Sequence, residues 1–530
     1  MLNLSPRKRT FALAVITSMV ALAGCARVQE SKLLVSIVVD GLEKQYIDLL
    51  RESFGKGGFN RLMSDGVTIE NADFGTYLDA TAATALLLTG AEPDANGIDA
   101  SQYYDRTSLR VVDALVDPSV MGNFTSLALS PKNLAVTTLS DEARIAGAGV
   151  SYAYAIAADP SQAVIMGGHC GNSALWLNDA TGNWASSTYY TDLPSFVASR
   201  NRTMPLSARA DTMQWTPLRP ASFYPLLPDH VTHYPFRHTL RAAGEGKMQM
   251  LAATPLLNTE ITALAREHMR SLRLGTHSGG TDVLNIAYTI PDFTFAKSSD
   301  TRFELYDTYL RLDRDLEQLF SSIDSSLGAG NYTVFLSGTP RPPRRGKDDE
   351  RWNVPYGEFS TRKAVSLLNV YLIALHGNGD WVQGYHNGQF YLNHRLISDR
   401  NISLELIRSQ AAGFLRRMSG VRDARSLESV LAPSDARARN VVVSRAGDVF
   451  VEVQPGWEIV DDYANVARTS TGRSVAASSL PMAPAFIMSP GVSPQLISAP
   501  VDARALAPAV AGLLHIRSPN AASVPPLRPE

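Results

Sequence analysis

The chain has 530 residues, of which 45% are apolar and 19% charged, with a formal net charge of −2. That is an ordinary globular composition, with room for one large domain or two to three smaller ones. It excludes the strongly basic balance of a nucleic-acid binder, and the one short basic cluster, at 341–347, is followed at once by Asp348, Asp349 and Glu350, as in a solvated loop.

Along the chain, the first signal is N-terminal. Arg7, Lys8 and Arg9 precede a short apolar run at 11–21 and then "LAGC" at 22–25. Charge, a short apolar core and small residues before a cut mark a secretory leader, too short to be a spanning helix. The segment resembles a bacterial lipoprotein box. That resemblance implies removal of residues 1–24 and lipid, such as palmitate, on Cys25, with 25–32 as a tether to the bilayer. Each buried methylene of such a lipid adds about 0.8 kcal/mol to anchoring. A plain leader with a chance cysteine is the alternative. "ARVQESK" after Cys25 has no aspartate at its second position, which points to an outer-membrane anchor facing the periplasm. Cys170 is the only other cysteine, so with Cys25 lipidated no internal disulfide is available. In "GGHCGN" it reads as a structural turn, because neighbours such as His169 and Cys170 rarely face each other as a nucleophile pair.

"LLVSIVVDG" at 33–41 is a continuous apolar, β-branched run, as in a strand buried on both faces of a parallel sheet. "YLDATAATALLLTG" at 77–90 reads as a tight loop entering a helix, the kind of turn on which an enzyme presents a nucleophile, yet it offers alanines. Two more buried strands are expected in "DVLNIAYTIPD" (282–292) and "YTVFLSGTP" (332–340). Between them Leu305, Tyr309, Leu312, Leu316, Leu319 and Ile323 fall on one helical face, which completes an α/β unit. Chemistry in such sheets gathers beyond the carboxyl ends of the strands. Two of these segments end in Asp40 and Asp292; the third ends in Thr339 and Pro340, with no ligand group. An aspartate there is by default a loop cap, and two of them raise the case for a metal site. From about 353 to 454 helical stretches (362–376, 404–418) alternate with strand-like pieces (389–394, 440–443, 448–453), as in an inserted cap with its own small sheet. Core texture returns in "APAFIMSPG" and "ALAPAVAGLLHI", and the tail 521–530 reads as loose.

"VVDG", "GGFNRLMSDGVTIENADF", "LLLTGAEPDANGIDASQYYDR", "NDATGNWASSTYY", "DTYLRLDRDLEQL", "GQFYLNHRLI" and "GDVFVEVQPGW" stand in one consistent order. Together they resemble the alkaline phosphatase superfamily, in its branch of bacterial periplasmic alkaline phosphatases similar to nucleotide pyrophosphatase/phosphodiesterases. The resemblance implies a three-layer α/β sandwich with a central, mostly parallel sheet: a core at 33–352 and 455–520, and an α+β cap inserted at 353–454.

The resemblance also implies a chemistry. Two zinc ions, each with three Asp or His ligands, activate a threonine, and a lysine, an arginine and an asparagine hold the phosphoryl oxygens. Carried over by position, the first ligand matches Asp40. The nucleophile falls on Ala80, and its proline and histidine companions on Ala82 and Thr84. The next ligand pair falls on Asp292 and Ala296, the following pair on Thr339 and Pro340, and the last histidine near 471–473, where none stands. The lysine and arginine positions fall near Asp159 and Ser161, the asparagine near Ser101. Asp40 and Asp292 are thus remnant ligands of different metals, and no cofactor is expected.

The principal reading is a pseudoenzyme: a lipoprotein of the cell envelope that binds a protein or glycan partner through the old cleft or the cap, and no nucleic acid. The alternative is a repurposed hydrolase in which Asp79, Thr81 or Thr84 supplies a substitute nucleophile, with one divalent ion between Asp40 and Asp292. A metal site in "DHVTHYPFRH", from Asp229, His230, His233 and His238, has irregular spacing and reads instead as a surface loop. "TPRPPRR", at the missing-ligand position, reads as a stiff loop or as a docking segment.

Overall fold

The computed structural model describes residues 31–528 except 191, 228–231, 234, 294, 296–299, 342–356, 433–439, 464–471 and 477–479. The leader, Cys25, Ala296, Asp229, His230, Thr471 and most of "TPRPPRR" lie outside the described residues.

Eight strands carry the central sheet: β1 (Leu33–Asp40), β2 (Val67–Asp73), β3 (Ala153–Ala157), β4 (Ser173–Asn178), β5 (Asn183–Ser187), β6 (Asp282–Thr289), β7 (Thr333–Thr339) and β8 (Met482–Met488). Their order is β2-β8-β7-β1-β6-β3-β4-β5, with three short strands on the edges completing an eleven-stranded sheet. β1 runs parallel to both β6 and β7. β8 is antiparallel to β7 and β2, and β5 to β4, so the sheet is mixed but mostly parallel. The apolar run of β1 is explained by burial on both faces. Leu33, Val35, Ile37 and Val39 join one core cluster; Leu34 and Val38 join the other.

One face is covered by helices Lys44–Leu50, Leu256–Leu272 and Arg302–Leu327. The expected stripe on the last of these is real: Tyr309, Leu312, Leu316, Leu319 and Ile323 are fully buried and Leu305 packs beside them. This helix links β6 to β7 and carries the chain over β1, which lies between them. The other face is covered by helices Ala80–Thr89, Pro160–Gly167 and Leu506–Leu513. Among the described residues no helix is long and apolar enough to cross a membrane.

The cap has its own core. A four-stranded sheet (Val382–His386, Gln389–Leu392, Val449–Val453, Val421–Ser426) packs on helices Thr361–His376 and Leu404–Leu415. A second small sheet, Glu358–Ser360 with Glu458–Asp461 and Gly472–Val475, extends this unit beyond 454, and the central sheet resumes only at β8. The strand expected at 440–443 does not form; the chain there makes a 3₁₀ turn at Val443–Arg445. The tail is not loose through its described part. Leu527 packs on the core and donates its N–H to Ala505 O at 3.3 Å, and Ser523 N–H donates to Gly90 O at 3.2 Å.

Core and cap meet at Asp448, whose side chain is fully buried. It accepts from Arg106 of the core at 2.8 Å, from His394 at 2.8 Å, from Arg408 Nε at 2.8 Å and from Leu392 N–H at 2.7 Å. Burial by itself raises a carboxyl pKa; His394 and Arg106 outweigh it and hold Asp448 at about 2. A depressed carboxyl pKa stabilises the fold fully above the unfolded value near 4, and that contribution is lost as pH falls toward 2. Asp448→Asn should therefore cost about 3 kcal/mol at neutral pH. In urea unfolding of both proteins, that gap should narrow progressively below about pH 4.

Candidate functional site

β1 delivers Asp40 to the carboxyl edge of the sheet, and β7 delivers Thr339 directly beside it in register. Thr339 donates its hydroxyl to Asp40 Oδ1 at 2.7 Å. Arg341, two residues past the strand, turns back into the cleft. Its Nη2 donates to Asp40 Oδ2 at 3.1 Å, its Nη1 donates to Ile290 O at 2.6 Å, and the same Nη1 lies 3.6 Å from Asp292 Oδ1. One guanidinium thus spans the two carboxylates assigned to different zinc ions. Gly41 makes the room: with φ of +73°, any Cβ there would lie 2.7 Å from Arg341 Cζ. Arg341, the first arginine of the proline-rich segment, faces inward, and the segment's residues from 342 on lie outside the described ones.

These donors do not fit a dinuclear zinc centre. Among the described residues no three His, Cys, Asp or Glu side chains come together as metal ligands. Both oxygens of Asp40 are engaged, and the cation beside it is already supplied by Arg341. Thr339 and Pro340 stand where a further ligand pair would be needed, and Ala296 lies outside the described residues.

The turn at 77–90 keeps its architecture. Helix Ala80–Thr89 starts at Ala80 and ends at Gly90 in the left-handed conformation, where a Cβ would lie 2.9 Å from Arg504 O. Asp79 is the N-cap: Oδ1 accepts from Ala82 N–H at 2.9 Å and Oδ2 accepts from Ser101 N–H at 2.6 Å. Thr84 is fully buried; its hydroxyl donates to Ala80 O at 2.6 Å and accepts from Gln162 at 3.1 Å. Thr81 is 2% exposed. Of the three substitute nucleophiles, one is bound as a cap and two are buried.

The resemblance assigns the phosphate-holding lysine and arginine to the neighbourhood of Asp159 and Ser161. Asp159 caps the helix Pro160–Gly167, accepting from Gln162 N–H at 2.9 Å, and Ser161 is buried in that helix. Solvent reaches the Asp159 carboxyl, yet the protein atoms crowded around it raise its pKa to about 6, and the charges of Asp79 and Asp40 add to the rise. Asp159 thus lies within electrostatic reach of Asp79 and Asp40.

The remaining sequence candidates are accounted for locally. His169 shares its ring nitrogens between Asp141 (3.1 Å) and Leu134 O (2.9 Å), not with Cys170. The protein around Cys170 and the nearby Asp141 push its thiol pKa up, the opposite of an activated nucleophile. His238 bonds Glu304 at 3.1 Å among Trp215, Phe236 and Phe293.

The α/β core with its mostly parallel sheet and the α+β insert agree with the alkaline phosphatase superfamily, which the comparisons show. The model of the type I phosphodiesterase / nucleotide pyrophosphatase family matches residues 34–475, and the chain belongs to that family. It is 28% identical over 519 residues to alkaline phosphatase PhoV of Synechococcus elongatus, covering 93% of this chain and 92% of that protein. It is 26% identical over 550 residues to alkaline phosphatase PafA of Elizabethkingia meningoseptica, covering 99% of each. The crystal structure of PafA superimposes with a TM-score of 0.82 at 25% identity, over 94% of this chain and 98% of that one.

Sequence reasoning missed the role of Arg341. The signal available was its place, just beyond the strand end where ligands are absent. Arg341→Ala removes the guanidinium that meets Asp40 Oδ2. It should lower stability by about 1–3 kcal/mol, read as a reduced Tm in thermal unfolding, and Asp40→Asn in the same background should recover part of the loss.

Proposed function

We propose that this chain is a pseudoenzyme of the phosphodiesterase family: a lipid-anchored binding or assembly component of the cell envelope that keeps the phosphatase fold without phosphoryl chemistry. The observation that carries the reading is the Arg341 guanidinium between Asp40 and Asp292. A guanidinium neutralises the carboxylates but offers no open coordination position, so it neither binds a phosphoryl oxygen as a Lewis acid nor lowers the pKa of a nucleophile. Ala80 has no group that attacks phosphorus. The acidic cleft repels the substrate's charge. Fold and chemistry are separable, so the loss leaves the core intact.

Anchoring rests on the sequence around Cys25, with the outer membrane facing the periplasm as the proposed site and a protein or glycan as the proposed partner. No zinc is required in this reading. The second reading is a hydrolase of altered chemistry, and the relatives favour it: PhoV and PafA are both named alkaline phosphatases and match nearly the whole chain.

One assay separates the two. The purified protein, incubated with zinc or manganese and with p-nitrophenyl phosphate or its bis ester, should show no turnover above the uncatalysed rate, and Ala80→Thr should not restore it. Turnover that disappears in Asp40→Ala would establish the hydrolase instead. For the anchor, cells fed a palmitate analogue should label the wild-type protein and not Cys25→Ala, which should leave the membrane fraction.

A further inference from the structure

The described chain starts at Ser31, six positions after Cys25. Six peptide steps reach at most about 21 Å, so a lipid on Cys25 keeps Ser31 within that distance of the bilayer. Ser31 is not a free end. It is 6% exposed, its O accepts from the Thr281 hydroxyl at 2.9 Å, and Lys32 N–H next to it donates to Asn331 O at 3.1 Å. The tether therefore holds to the membrane the amino edge of the central sheet, where β1, β6 and β7 begin. β1 rises roughly 23 Å from this edge to Asp40, which leaves the candidate site on the opposite edge.

What the amino edge exposes suits a phospholipid surface. Ile145 is 52% and Val150 55% exposed, on either side of a turn at 146–149 made only of alanine and glycine. Val150 borders Gly279, and Ser151 borders Gly280, beside the Thr281 that holds Ser31. Arg273 follows helix Leu256–Leu272 and stands two residues before Gly275, which packs on Leu33. Lys32 and Arg273 are exposed and enter no salt bridge among the described residues. The nearby carboxylates are already paired: Asp282 with His277 at 2.9 Å, and Asp324 with Arg61 at 2.6 Å. The edge thus offers apolar side chains to the acyl boundary and cations to anionic headgroups. Two such side chains bind weakly by themselves; the tether makes their contact intramolecular and raises its effective concentration.

We propose that in the lipidated protein this edge rests on the bilayer, with Ile145 and Val150 at the headgroup boundary and Lys32 and Arg273 against anionic phospholipid. The proposal rests on the anchor reading above and deepens it: the site at Asp40 then opens away from the membrane, toward a partner in the periplasm. A second copy is the competing occupant, but a two-fold pairing through this edge would bring its unpaired cations together.

The test uses the full-length lipidated protein in mixed vesicles of phosphatidylethanolamine and phosphatidylglycerol. In a Cys170→Ser background, nitroxide labels are placed one at a time through Ile145→Cys, Val150→Cys and, on the cap, Val370→Cys, a position 62% exposed. The labels at Ile145 and Val150 should lose contact with a water-soluble nickel chelate and gain contact with oxygen, while the label at Val370 stays water-accessible. Lys32→Glu combined with Arg273→Glu should return the Val150 label to water without releasing the protein from the vesicles. Water-accessible labels at both Ile145 and Val150, shielding at Val370 in their place, or unaltered shielding in the double variant would each overturn the proposal. So would shielding that rises with protein density in the vesicle, the mark of a second copy. The palmitate-analogue labelling separates the failures: a labelled Cys25 with water-accessible Ile145 and Val150 overturns this proposal and leaves the anchor standing, whereas an unlabelled Cys25 removes both.

Discussion

The strand Leu33–Asp40 is buried between two parallel neighbours and ends in a carboxylate at the bottom of a cleft. A charge placed there by the sheet has to be met by an opposite charge or by hydrogen bonds. In the family's chemistry that need is answered by metal ions. Here Thr339 donates to one oxygen of Asp40 and Arg341 to the other, and the same guanidinium reaches Asp292. A cation of the chain itself thus stands beside Asp40. Gly41 is its counterpart, since a side chain at that position would occupy the place of the guanidinium.

Side chains around the cleft also make local structural bonds. Asp79 spends both carboxylate oxygens on backbone N–H groups, starting one helix and tethering the loop at Ser101. Asp159 starts the next helix, accepting from Gln162 N–H. Thr84 turns its hydroxyl inward to Ala80 O and Gln162. Each of these side chains now stabilises local structure, which is the work that folding requires of them regardless of catalysis. The packing segment 86–90 and the glycine that ends the helix are unchanged in purpose.

The cap is fastened to the core by a buried carboxylate as well. Asp448 gathers Arg106 from the core together with His394 and Arg408 from the cap. That junction sets the relative position of Tyr103 and Arg445, whose ring and guanidinium pack against each other at a cleft between core and cap. Where Asp448 has every oxygen served, Asp99 and Arg445 keep an oxygen and a nitrogen unserved.

Much of this protein was legible in the amino-acid sequence. The unbroken apolar runs of the central strands, the helical stripe from Leu305 to Ile323 and the order of family motifs are local patterns, and local patterns survive into the fold. The residue types at Ala80, Thr339 and Pro340 were equally visible, because they need only the sequence. The extent of the cap and the packing of Leu527 were not, since both depend on pairings between distant segments. Nor was the inward turn of Arg341, which joins residues separated by about 300 positions, or the meeting of Asp99 with Arg445 across core and cap. Residue types and their periodicity determine which elements form; only the tertiary structure decides which groups meet at the cleft, because a charge takes its partner from whatever the fold brings within a few ångströms.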